Sequence, residues 1–165
     1  MLTPYVFTSV TRIADLQTTG FDVAELPRDQ WADGDYIVAD VTGKPSVLYK
    51  FELTNGRIIE AMEGTPAVGA FGKRAATLEA TGDWAASGDD GSMEALTGAG
   101  LFGKALSVAP TLPRLMSLRY SGHVLRDGRK LTMEDFVPPT PEAHFAMPVV
   151  LLIGDVALIH DLGGL

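Results

Sequence analysis

Between Val47 and Leu53 apolar and polar residues alternate, with Val47, Tyr49, Phe51 and Leu53 on one side of an extended chain and Lys50 and Glu52 on the other. That is the period of a half-buried β-strand. Thr54-Asn55-Gly56 supplies the left-handed backbone of a tight turn, and Arg57-Ile-Ile-Glu-Ala61 returns as the partner strand of a hairpin. A second hairpin is predicted in Ser121 to Met133, where Asp127-Gly128 is a two-residue turn signal between short strands. Tyr36 to Val41, launched by the Gly34-Asp35 turn, is an apolar strand, and the β-branched and aromatic residues from Thr3 to Val10 predict another. The run Thr11 to Thr19 is read as a short helix or loop, and Leu26-Pro27-Arg28-Asp29 has the chemistry of a turn.

Helix signals are scarce. Arg74 to Ala80 and Ser92 to Leu96 are the two candidates, the second with Ser92 as its cap and Gly98 as its stop. Between them Gly82 to Gly91 is polar and glycine-rich, predicting an exposed linker anchored by Trp84. Pro110 and Pro113 bracket a further loop. The fold expected is mainly β (α+β): a small barrel or barrel-like sandwich with one or two short helices over 1–137, a proline-rich connection over 138–148, and a separate C-terminal strand and tail over 149–165. Val149 to Ile153 has no polar residue, the character of a strand buried on both faces, so it is expected to be covered.

A length of 165 residues suits one hydrophobic core, and 46% hydrophobic with 21% charged residues is a globular balance. No apolar stretch reaches the roughly 18 residues of a membrane span. The start carries no basic segment followed by an apolar block, so a cytoplasmic location is expected. With no cysteine, disulfides, thiolate metal sites and a cysteine nucleophile are excluded.

Charge adds a regional asymmetry. The net charge of −8 argues against general nucleic-acid binding, but 73–130 carries eight bases against six acids, while the segments on either side are strongly acidic. The net-positive third also holds a repeat: Val68-Gly-Ala-Phe-Gly-Lys-Arg74 and Ala99-Gly-Leu-Phe-Gly-Lys-Ala105, with Lys73 and Lys104 spaced 31 residues apart. Each phrase approaches the phosphate-loop pattern but lacks its Ser or Thr.

Two resemblances rest on short stretches. The Gly34-Asp35 turn before Tyr36 to Val41 resembles the Gly-Asp box of the cradle-loop β-barrels, which implies a barrel of two similar halves. Val149-Val-Leu-Leu-Ile-Gly154, after its proline-rich connection, looks like the first strand of a P-loop NTPase. The phosphate loop itself is absent, since the positions for its Gly, Lys and Ser/Thr hold Ile159, His160 and Asp161. This resemblance implies that 1–146 is an N-terminal accessory domain whose partner is an NTPase domain.

For the repeated phrases, the functional reading has Gly72 and Gly103 admit an anion to the backbone while Lys73, Arg74, Lys104 and Arg119 supply charge. The alternative is tight packing at the glycines, with Phe71 and Phe102 in core pockets and solvated lysines. His123 is the candidate acid or base, with Glu79 or Asp83 as its carboxylate partner, against the alternative of a structural strand histidine. His144 and His160 have no metal-ligand spacing, and Asp89-Asp90 and Glu134-Asp135 read as solvated turn residues, so no metal or cofactor is expected. Three functions follow: a non-catalytic binding or accessory domain for a small anionic ligand such as a nucleotide or carboxylated metabolite; an enzyme using His123; or an assembly domain pairing through its C-terminal strand with a second copy or an NTPase neighbour.

Overall fold

The computed structural model describes residues 5–43, 50–76 and 78–140. Its strands, in chain order, are β1 (Val6–Phe7), β2 (Asp22–Ala24), β3 (Tyr36–Val41), β4 (Lys50–Glu52), β5 (Ile58–Glu60), β6 (Pro66–Phe71), β7 (Lys73–Ala76), β8 (Ala80–Asp83), β9 (Ser92–Ala95), β10 (Leu101–Val108), β11 (Ser117–Arg126) and β12 (Arg129–Lys130). The chain is mainly β, with short 3-10 turns and no helix of seven or more residues among the described residues.

Strand pairing closes on itself. β6 pairs with β3, β3 with β11, β11 with β9, β9 with β10, and β10 returns to β6 in parallel register, a barrel-like circuit of five strands. Within this circuit closure removes the free edges that would otherwise template aggregation, whereas β7 and the β4–β5 hairpin lie outside it. Inside lies the main core, formed by Ile37, Ala39 and Val41 of β3, Ala67 and Phe71 of β6, and Met93, Phe102 and Leu118 from the other strands. Tyr36 and Val38 of β3 and Val68 and Ala70 of β6 point the other way into a second layer, covered by Tyr5, Phe7, Leu16, Phe21 and Leu131. Two buried faces explain why β3 and β6 read as continuous apolar runs rather than alternating ones.

β1 and β10 share one side of β6. Val6 and Phe7 pair with Ala67 and Val68, then Leu101 and Phe102 take over opposite Ala70 and Phe71. The handover is crowded: buried Thr8 donates its hydroxyl to the Val68 carbonyl at 2.7 Å, and a Cβ on Gly69 would lie 2.4 Å from the Gly100 carbonyl oxygen.

The β4–β5 hairpin forms as its alternation predicts, with Phe51 opposite Ile59 and Phe51 fully buried. The positions 47–49 of that expected strand, like Met147 to Gly154, lie outside the described residues. The second hairpin is also present, with Arg126 opposite Arg129 and both turn residues left-handed, Asp127 at φ 51° and Gly128 at φ 74°. The first strand is shorter than expected, since Ser9–Thr11 is a 3-10 turn.

Both helix candidates are strands instead. Arg74 to Ala76 belongs to β7 and pairs with β8, and Ser92 to Ala95 is β9, held between β10 and β11. Met93 and Ala95 are buried while Ser92 and Glu94 are half-exposed, a period of two. Neighbours on both sides outweigh the local helix preference. The supposed linker Gly82 to Gly91 is likewise partly integral: Gly82 and Asp83 end β8, Gly82 and Ser87 are buried, and Asp83 caps the turn Trp84–Ala86 by accepting the Ala85 amide at 2.9 Å.

Candidate functional site

The two Phe-Gly-Lys phrases run side by side, since the parallel β6–β10 pairing sets Phe71 directly opposite Phe102. Both rings are fully buried in the main core. Gly72 donates its amide to the Phe102 carbonyl at 3.2 Å and accepts the Trp84 amide at 3.1 Å, so its backbone is committed to the sheet. Lys73 and Lys104 lie opposite Asp83 from either side. Lys73 pairs with Asp83 at 3.4 Å, Lys104 with Glu94 at 2.9 Å, and Arg74 with both the Glu79 carboxylate and the Leu96 carbonyl. The cleft described below is not lined by Gly72, Lys73, Arg74, Gly103 or Lys104, and the three cations are each engaged by an acid among the described residues.

The repeat's glycines are explained by packing. A Cβ on Gly103 would stand 2.7 Å from the Trp84 backbone nitrogen, whereas one on Gly72 would meet the end of the Leu101 side chain at 2.7 Å. Backbone cannot yield as a leucine methyl can. Gly103→Ala is therefore expected to lower unfolding free energy by about 2 kcal/mol more than Gly72→Ala, measured by urea denaturation. Equal costs would refute this account of the pair.

His123 takes its place by a different route. Residues three apart on a regular strand point to opposite faces. Between Tyr120 and Gly122 the β11–β3 register shifts by one residue, a bulge that turns Tyr120 and His123 to the same side. Gly122 permits it, with φ 155° and space so restricted that a Cβ would lie 2.7 Å from Val23 Cγ1. The Tyr120 hydroxyl then meets His123 Nδ1 at 2.5 Å, and His123 Nε2 meets Asp35 Oδ2 at 3.2 Å.

Asp35 opens β3 after Gly34, whose φ of 79° suits glycine. Its side chain is fully buried, and Oδ2 also accepts the Ala32 amide at 2.7 Å and the Lys130 ammonium at 2.8 Å. Burial pushes this carboxyl up, but the hydrogen bonds from His123, Lys130 and Ala32 outweigh burial and hold it below the usual carboxylate range. Beyond His123, the Tyr120 oxygen accepts the Leu26 amide at 3.0 Å. Burial, with the negative charges of Glu25 and Asp35, raises the Tyr120 phenol, which stays protonated at neutral pH.

The result is one chain of hydrogen bonds, Lys130 to Asp35 to His123 to Tyr120 to the Leu26 amide. Every link closes when His123 is neutral with its proton on Nε2: Nε2–H donates to Asp35 and Tyr120 O–H donates to Nδ1. The carboxylate partner of His123 is thus Asp35. Glu79 is engaged by Arg74 and Asp83 by Lys73, away from His123. His123 is fully buried against the rings of Trp31 and Phe71.

This chain underlies a cleft of about 470 Å³ between the loop 25–31 and the turn 88–91, with Arg119 and Tyr120 of β11 on its wall. Pro27 starts the 3-10 turn Arg28–Gln30, which delivers the Arg28 guanidinium over the Trp31 ring at 4.4 Å and toward Trp84 at 5.8 Å. Arg28 Nη2 donates to the Ala85 carbonyl at 2.7 Å, while Nη1 is buried with no partner among the described residues. Arg119 is exposed and makes no hydrogen bond or ion pair among the described residues. Glu25, Asp89 and Asp90 complete the rim. Hydrogen bonds from the Ser92 hydroxyl and from the Ser92 amide, the latter at 3.0 Å, lower the Asp90 carboxyl, and the charge of Arg119 adds to this.

Of the sequence candidates, Arg119 and His123 are brought to this region, and Asp89-Asp90 line it. Asp135 serves locally, accepting the Thr132 amide and hydroxyl and pairing with Arg129. His144 and His160 lie outside the described residues. Arg28, Trp31, Tyr120 and Lys130 were not among the sequence candidates for the site, and Asp35 entered only as part of the Gly34-Asp35 turn; the available signal was Gly122 inside a strand pattern, which suits a bulge. Comparison with known proteins adds no family: no family model, curated protein or solved structure matches the chain.

Proposed function

We propose that the domain is a binding module that holds a small anionic ligand in the cleft above Tyr120, anchored by Arg28 and Arg119. The observation that carries this reading is charge pairing. Arg28 and Arg119 both line one cleft and neither forms a contact ion pair among the described residues, Asp90 bearing on Arg119 only through its charge, whereas Lys73, Arg74 and Lys104 are each paired with an acid. A guanidinium edge left without a carboxylate is a ready receptor for a carboxylate or phosphate. The acids at the rim favour a ligand that also carries hydrogen-bond donors, such as the hydroxyls of a nucleotide or a hydroxylated carboxylate. The cleft volume falls within the range of about 300 to 1,000 Å³ common for small-molecule sites. Binding is favoured over acid–base catalysis by His123, which is fully buried with both ring nitrogens engaged.

The test is thermal stability measured with AMP, citrate and sulfate. A ligand bound only by the folded state stabilises it by mass action, so the midpoint should rise with anion and the rise should fade with added salt. Arg119→Ala is expected to weaken binding about tenfold or more, the worth of one charged hydrogen bond. Lys73→Ala with Lys104→Ala should leave it unchanged. No shift at millimolar anion, or a shift abolished by the lysine pair alone, would overturn the assignment.

A further inference from the structure

Beneath the cleft, the buried chain has a property that simple anion binding does not use. A hydroxyl has one hydrogen and two lone pairs. With His123 neutral, Tyr120 turns its hydrogen inward to Nδ1 and accepts the Leu26 amide, so it offers the cleft no donor. A proton added at Nδ1 reverses the first bond. Nδ1–H then donates to the Tyr120 oxygen, both lone pairs are taken, by the imidazolium and by the Leu26 amide, and the hydroxyl hydrogen is released from the network. Tyr120 and Leu26 both line the cleft, which is the side from which a ligand could accept the freed O–H.

The geometry points to proton-coupled anion binding: His123 takes up one proton as an oxyanion enters the cleft, and Tyr120 rotates its hydroxyl from His123 to the bound anion. This rests on the reading of the cleft as an anion site. The balance is simple. One proton from solvent is gained at His123 Nδ1, and Tyr120 keeps its own proton and its charge throughout. Charged groups and aromatic rings surround His123. Asp35, at the head of β3, lies 3.2 Å from Nε2, and Lys130 of β12 holds the same carboxylate oxygen. Glu25 of the loop bears on Tyr120, the ring on His123's own strand, and the remaining packed faces are the uncharged rings of Trp31 and Phe71.

Sulfate is the probe, because it does not itself titrate between about pH 5 and 8, the window of histidine ionisation. Calorimetric titration of sulfate in buffers of differing ionisation enthalpy should show proton uptake approaching one per anion bound as pH rises. Sulfate affinity should fall by up to about tenfold per pH unit over the same range, as reciprocal linkage requires. His123→Gln and, independently, Tyr120→Phe should abolish the uptake; the phenylalanine variant removes one hydroxyl and so preserves packing if glutamine is not tolerated in the core. Sulfate bound by the wild type without proton uptake, or uptake retained in either folded variant, would overturn the coupling while leaving the anion site standing. No sulfate binding at all would remove the anion site and the coupling with it.

Discussion

Gly100→Ala is expected to destabilise the domain by about 3 to 4 kcal/mol, among the largest effects of any single methyl in this fold. Gly100 has φ 103°, where an L side chain is strained, and a Cβ there would stand 1.9 Å from Thr8 Oγ1 and 2.5 Å from Thr8 Cβ. Thr8 cannot move aside. It is fully buried, its hydroxyl donates to the Val68 carbonyl, and its amide donates to the same oxygen at 3.1 Å. The added methyl therefore forces apart the place where β1 and β10 meet along β6. Urea denaturation of the variant checks this, and a loss below about 1 kcal/mol would show that the handover can relax.

Asp35→Ala should cost about 3 kcal/mol, because one oxygen accepts from the Ala32 amide, His123 and Lys130 at once. Lys130 is part-exposed and can turn to water, so the loss falls chiefly on the buried imidazole and the amide. pH gives an independent check. The folded Asp35 carboxyl lies below its ordinary value, so its contribution is present above the unfolded carboxylate pKa of about 4 and is lost as pH falls through the folded value. The stability gap between wild type and Asp35→Asn is thus expected to be full near neutrality and to narrow below about pH 4. A gap that widened in acid would contradict the assigned ionisation.

The features legible in the sequence are those decided by neighbours along the chain. The Asn55-Gly56 and Asp127-Gly128 turns need only local backbone freedom, and the apolar run Tyr36 to Val41 needs only a strand with both faces covered. The Ser92 to Ala95 segment misleads because four residues of alternating burial are too few to outweigh a serine that suits a helix cap. The site was hidden for a related reason. His123 and Asp35 are 88 residues apart, and a one-residue bulge decides which face of β11 Tyr120 presents. The Phe-Gly-Lys repeat did carry information, but about pairing: its two copies are neighbours because they are parallel strands packing equivalent rings, and their charges are quenched by nearby acids.

The position of β11 in the barrel has a consequence for how the protein is made. β11 touches β2, β3, β9 and β12, yet it is among the last described segments to leave the ribosome, about 80 to 100 residues after the strands β2 and β3 it must join. Until Ser117 to Arg126 has emerged, β3 has β6 on one side and an open edge on the other. Pairings of such long reach are slow to form, so the nascent chain carries a strand destined for burial on both faces half-paired through most of its synthesis. Productive folding then depends on how quickly the final third of the chain follows the first.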